Sequence, residues 1–494
     1  MKSFLKVEKD RIAYHKEIKK NSVHRSSLLV PKFEKVISNI SFLNHFLLKR
    51  NISEVTMKVT AINNNGLDQD SISINIDEIK VYSFNLEELI PDHSNIKEYL
   101  IEFFSNKNLF IPFSAVIINH IGKDFINCVH SYNRVLNDIF EDDKINKNHV
   151  AEASIDVLIN KKYDTFLNFT SGLFEIDDKL GLFFGSNKTI KSVPIKLKKL
   201  NNKNYFLSKI FKKNFKDKNK TLKIIQPKQN LFYGRLLAGI IDKKTKAFSA
   251  NHSYYDSSST REYFENSFSE RSYPYFYNSL NKVTMYPIMS PSLLNVHIEI
   301  FDGNKKIVSD IKKIQSPGGN PITFDVDKLI NEHKLKDVSL FKLVAKSKNN
   351  KIPTRVNHQL IYGEKNSISK LLCSINTSLI NKKVFIPKNK KGLTWGQVIV
   401  NDKFISKVGI CFSSFKISKE HVTIDFYGKS GKVNSYTGII YPNKSLILDN
   451  NFFRKLKINN EFLWFVAKSK SPDLTANSFH YHRKTGNASG EHSF

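Results

Sequence analysis

Three histidines near the end of the chain, His480, His482 and His492, are the residues whose type and spacing could do the most chemistry. Imidazole nitrogens ligate zinc and non-haem iron, and a catalytic site of either metal needs two or three of them converging. On a strand, positions 480 and 482 point to one face because side chains alternate. Thr485-Gly-Asn487 can turn the chain. A hairpin folded about Gly486 would then set His480 opposite His492 and send Glu491 to the other face. The expectation is a three-imidazole cluster for zinc or iron, with Arg483 beside it to recognise an anion. The competing expectation is structural: a hairpin end closed by His and Ser hydrogen bonds to neighbouring backbone. Recurrence favours the structural one, since His130-Ser-Tyr132 and His252-Ser-Tyr254 carry the same His-Ser-aromatic pattern as His492-Ser-Phe494.

A second candidate lies near the middle of the chain. Tyr254, Tyr255, Arg261 and Tyr263 sit among serines and are followed by Tyr273-Pro-Tyr-Phe-Tyr277. Tyrosines, hydroxyls and an arginine in loops make adaptable contact surfaces, and sugar rings stack on such aromatic faces. Packing between neighbouring domains is the alternative use for the same rings. Ser257-Ser-Ser259 lacks the Gly-x-Ser-x-Gly elbow of a serine nucleophile. The glycines at 185, 303 and 428 lie in Lys-bearing turns but fit no phosphate-binding loop, so they read as hairpin turns.

The elements that would position these residues show a repeat. Val344-Ala-Lys-Ser-Lys348 recurs letter for letter as Val466-Ala-Lys-Ser-Lys470, 122 positions later. Around it, Phe301-Asp-Gly-Asn304 parallels Phe426-Tyr-Gly-Lys429, and Ile322-Thr-Phe-Asp325 parallels Leu446-Ile-Leu-Asp449. Each copy is expected to close on a His-bearing strand, at His358 in one and at His480 and His482 in the other. Fainter copies run through Val59–Gly66 and Phe184–Ile190. Short apolar runs broken by Asn-Gly, Gly-Gly and Ser-Pro give the strand-and-turn pattern of a sandwich or barrel.

The predicted fold is therefore all-β. It consists of four tandem, degenerate repeats of a sandwich-like unit, immunoglobulin or jelly-roll in type, of about 120 residues. The expected boundaries are a basic extension over 1–40, then units over 41–140, 141–262, 263–388 and 389–494. Residues 134–162 are expected to be a helical or loose connector, and 86–90 and 326–332 to make a turn or two of helix.

Composition narrows the function. The chain of 494 residues has a net charge of +31, and an AT-rich coding bias toward Lys, Asn and Ile accounts for much of that. Residues 188–228 exceed this background, with fourteen lysines against the single acid Asp217. Such a block attracts phosphate-rich or sulfated polymers. Specific nucleic-acid recognition is disfavoured, because no helix-turn-helix, zinc finger or RNP-type pattern accompanies the lysines. Three scattered cysteines without metal spacing, and no signal-peptide core, suggest a reduced, cytoplasmic setting. No apolar run of transmembrane length occurs.

The sequence thus favours a non-enzymatic binding or scaffold protein without a cofactor. Its expected ligand is a carbohydrate or another polyanion, and a link to surface-glycan production is the furthest extension. A metal-dependent enzyme built on the C-terminal histidines is the alternative.

Overall fold

The computed structural model describes residues 2–3, 26–91, 95–105, 115–130, 134–135, 151–184, 190–211, 221–227, 232–233, 235–255, 262–285, 290–303, 305–314, 321–380, 391–413, 418–458 and 460–494. It divides into two compact units. One is Lys9–Tyr255; the other is Asp256–Phe494 with Met1–Glu8. Among the described residues almost all regular structure is antiparallel strand, as expected for an all-β chain.

The unit Lys9–Tyr255 holds two sandwiches. The strands of the first are Ser26–Pro31, Ile37–Leu43, Val55–Asn63, Asp68–Ile76, Val81–Asn85, Ile96–Ser105, Ile117–Ile121 and Ile126–His130. Those of the second are Ala151–Asp156, Tyr163–Thr170, Ile176–Phe184, Ile190–Leu197, Asn202–Phe206, Thr221–Ile225, Leu237–Asp242 and Phe248–His252.

The other unit holds two more. The third sandwich has Phe268–Pro274, Ser279–Met285, Leu294–Asp302, Lys305–Val308, Ile322–Asp325, Leu340–Ser347, Asn357–Glu364 and Cys373–Ser378. The fourth has Gly392–Val400, Phe404–Phe412, Glu420–Gly428, Gly431–Ile440, Leu446–Leu448, Asn460–Ser469, Leu474–His482 and Ala488–His492. Numbered within each set, all four pair in the same order: 1-6-3-4 in one sheet and 5-2-7-8 in the other. A short helix follows the fifth strand every time, at Leu86–Leu89, Leu207–Ile210, Val326–Glu332 and Asn450–Lys455.

Alternation along the strands explains the two-layer packing. In the fourth sandwich Val408 and Ile410 of one sheet share a core with Ile424, Phe426 and Phe465 of the other. The second is built the same way around Leu167, Phe169, Leu180 and Ile224. Fourth strands are sheet edges and carry polar or charged residues, which discourages pairing with other chains. Asp68-Gln-Asp-Ser71 is exposed on one such edge, and Pro194, which has no N–H to offer, sits within another.

Two devices recur and account for buried polar groups that would otherwise be costly. A polar residue on the second strand holds both the N–H and the C=O of one residue near the end of the first. Thr165 Oγ1 does this for Leu158, Asn281 for Phe276 and Ser406 Oγ for Ile399. The second device ties the short helix to the second strand. Glu87 accepts from Ser38 N at 3.1 Å, Asp327 accepts from Asn281 N at 2.7 Å, and Asp164 accepts from Ser208 N at 3.1 Å.

Within each unit the sandwiches pack on one another. In Lys9–Tyr255, Asn127 Oδ1 of the first accepts from Ala250 N of the second at 2.6 Å, and Phe33, His120, Phe166 and Phe248 form an aromatic cluster. Gly66, at φ +70°, faces Lys199 so closely that a Cβ would stand 1.9 Å from the Lys199 carbonyl oxygen. In Asp256–Phe494, Tyr362 stacks on Phe479 at 5.6 Å while Phe276 meets both rings edge-on.

Three sequence expectations need correction. Residues 26–31 and 37–40 are not part of a basic extension; they belong to the first two strands of the first sandwich. Residues 27–31 and 38–40 are all buried, serines included, so no apolar–polar alternation marks these strands. Ala151–Asp156 is the first strand of the second sandwich rather than connector, and 136–150 lies outside the described residues. The His-bearing strands are seventh in order, so an eighth strand follows each, and His358 and His480 occupy different registers on them.

Candidate functional site

The C-terminal hairpin forms, with Gly486 at φ +69° in its turn, but its register separates the histidines. His480 pairs with Ser489, and His492 pairs with Asn477. Cross-strand partners share a face, so His480 and His482 lie with Ala476 on the inner face of the fourth sandwich. His492 lies on the opposite face, with Phe479 and Tyr481, and Glu491 takes the inner one. The three imidazoles expected to converge are therefore not brought together.

Each of them has a structural engagement. His480 Nδ1 and Ser406 Oγ are 2.6 Å apart. The serine donates its one proton to Ile399 O and accepts from Ile399 N and from the imidazole N–H. Complete burial lowers the His480 pKa to about 3, so the ring is neutral at physiological pH. His482 Nδ1 accepts from Thr485 N at 3.3 Å and from Thr485 Oγ1 at 3.1 Å, holding the turn, and its ring meets Phe404 edge-on. His492 Nδ1 donates to Ser493 O at 2.8 Å.

The His-Ser-aromatic pattern has a shared structural use in the second and fourth sandwiches. Ser493 N donates to Ala476 O while Ser493 Oγ accepts from Ala476 N. Ser253 repeats both bonds with Leu236. The serine thus extends the ladder between the seventh and eighth strands by one side chain. Phe494 packs against Trp395 and Trp464, each at 6.1 Å.

The aromatic candidates are dispersed. Tyr254-Tyr255 pairs with the first strand of the second sandwich. Tyr263 belongs to the other unit, on a strand between Lys2-Ser3 and Ile352-Pro353, with Lys351 Nζ 5.5 Å from its ring. Arg261 lies outside the described residues. Arg483 is exposed on the fourth sandwich and donates from Nε to Asn401 O at 3.0 Å. Tyr273 and Phe276 are buried; Tyr273 Oη meets His358 Nε2 at 2.6 Å inside the third sandwich, and Phe276 packs against Phe479 of the fourth. Those rings serve packing.

The lysine block has a defined frame where it is described. It runs along the edge strand Ile190–Leu197 and the strand Asn202–Phe206 of the second sandwich. Lys196 pairs with Asp177 at 3.5 Å and Lys198 with Glu175 at 3.1 Å, both pairs well exposed. Lys203 and Lys209 stand over the rings of Tyr205 and Phe206, each at 5.4 Å. Lys191 donates to Ile210 O at the helix C-terminus, where a cation is favoured. Residues 212–220 lie outside the described residues.

Sequence reasoning passed over one buried group in the first unit. Glu98, on the sixth strand of the first sandwich, is fully buried, and burial raises its carboxyl to about 8 against the opposing effect of Asn202. Only the strand register places it on the sheet's outer face, beneath the second sandwich, so no local signal marks it.

Among the described residues no helix is long and apolar enough to cross a membrane. No family model matches the chain, and no curated protein matches it. Among solved structures, the crystal structure of chicken CNTN1 FN1-FN3 domains covers 68% of this chain and 95% of its own, at 8% identity and a TM-score of 0.10. A TM-score that low carries no argument, so the fold stands on the strand order itself.

Proposed function

We propose that the chain is a non-enzymatic, multi-domain β-sandwich scaffold that binds a polyanionic polymer, with a sulfated or otherwise acidic carbohydrate as the preferred class. The observation that supports this is the lysine-rich edge of the second sandwich. Residues 188–228 contribute fourteen lysines against one acid. The two exposed ion pairs there, at Lys196 and Lys198, are of the kind worth about 0–1 kcal/mol, so an incoming sulfate or carboxylate can replace their partners. Lysines held over Tyr205 and Phe206 add aromatic surface beside the charge, which suits a sugar polymer better than a simple ion. Lysine offers a point charge rather than a bidentate fork, so selectivity among polyanions is expected to be broad.

A glycan array probed at low and at physiological salt tests the reading. Retention of acidic glycans at physiological salt is expected, weakened by the combined change Lys196→Gln, Lys198→Gln, Lys203→Gln and Lys209→Gln. Binding confined to low salt would reduce the interaction to nonspecific charge attraction and overturn the proposal.

A further inference from the structure

We propose that His130 and His252 form a bis-imidazole binding site for a divalent transition-metal ion such as zinc. Both residues end the eighth strand of their sandwich, and both sandwiches lie in the unit Lys9–Tyr255. The two eighth strands are fixed against each other by the Asn127–Ala250 hydrogen bond. At their ends the imidazoles meet edge to face, with centroids 4.7 Å apart and candidate ligand nitrogens within 4.8 Å of one another. Both rings are buried, at 4% and 0% exposure, so the strands hold them rather than solvent.

The tautomer favours ligation. His252 Nδ1 donates to Ser253 O at 2.9 Å, which places the lone pair on Nε2. Metal-bound histidines are characteristically oriented by this kind of bond from the other ring nitrogen to a backbone carbonyl. Two imidazoles held this close suit a borderline cation such as zinc. Arg235 opposes the ion: its Nη1 lies 3.5 Å from His252 Nε2. A cation entering the site displaces that long contact and meets the repulsion of the guanidinium. This makes Arg235 a diagnostic, because removing its charge must strengthen a metal site and would weaken a site for an anion.

The test is zinc uptake by the tag-free full chain, measured by calorimetry and elemental analysis. Stoichiometric zinc is expected, lost in His130→Asn and in His252→Asn, kept in His421→Asn on an exposed strand position, and bound more tightly in Arg235→Gln. X-ray absorption of the unaltered zinc-loaded protein guards against variants that fail to fold, and at least two imidazoles in the zinc shell are expected. No uptake, fewer than two imidazoles, or folded His130→Asn and His252→Asn that bind zinc as the unaltered chain does would each overturn the proposal.

Discussion

Ser406 shows what a single buried hydroxyl does in this fold. Its Oγ satisfies Ile399 N, Ile399 O and His480 Nδ1 at once, at 2.6–2.7 Å. Ser406→Ala would leave these groups without that partner inside the sandwich, and each stranded group costs about 1–3 kcal/mol. The expected outcome is a loss of at least about 2 kcal/mol in urea unfolding. An unchanged midpoint would refute the clamp. Glu98 contributes to the pH dependence of stability on the alkaline side. Its folded pKa of about 8 exceeds the ordinary 4.5, so between those values the folded state holds a proton that the unfolded state lacks. Its contribution to stability is then full below about pH 4.5 and is lost as pH rises toward 8. Glu98→Gln cannot titrate. It should match the unaltered chain at pH 5 and exceed it at pH 8 by as much as a few kcal/mol in unfolding experiments. Equal differences at both pH values would show that the carboxyl is already ionised in the fold.

Elements were legible in the sequence where the pattern was local. Val344–Lys348 and Val466–Lys470 do end equivalent sixth strands, and the parallels at Ile322–Asp325 and Leu446–Asp449 are equivalent fifth strands, with their helices following. The hairpin turn at Gly486 was readable too. Its register was not. Register is set by which face of each strand is buried, and a shift of one residue exchanges the faces. Phe479, which sequence alone left unassigned, settles this by packing outward on Tyr362 and Phe276 of the third sandwich. That forces His480 inward and sends His492 to the other face. Phe479→Ala would remove a fully buried ring from the contact between the third and fourth sandwiches, at about 3–5 kcal/mol. Hydrogen exchange should then accelerate in Asp256–Phe494 and stay unchanged in Lys9–Tyr255. Uniform acceleration of both would contradict the division into two cooperative units.

At the scale of the molecule, one strand order used four times gives a framework with many loops and edges and a strongly basic chain. The lysines are not spread evenly: residues 188–228 supply thirteen of the net +31, and the described lysines among them lie on the second sandwich. Composition made that block visible, but only the fold shows that its described part lies mainly on an edge strand of each sheet of the second sandwich and on the short helix after the fifth strand. The proposed role of these lysines is to bind polyanions. The direct measurement is the affinity of the full chain for a sulfated polysaccharide across a salt series, alone and with Lys196, Lys198, Lys203 and Lys209 changed to Gln. Weaker binding and a shallower dependence of log affinity on log salt are expected in the variant, since fewer counterions are released. A change of Lys305 and Lys306 to Gln should leave both unaltered. Identical affinity and slope for the four-lysine variant and the unaltered chain would contradict the claim.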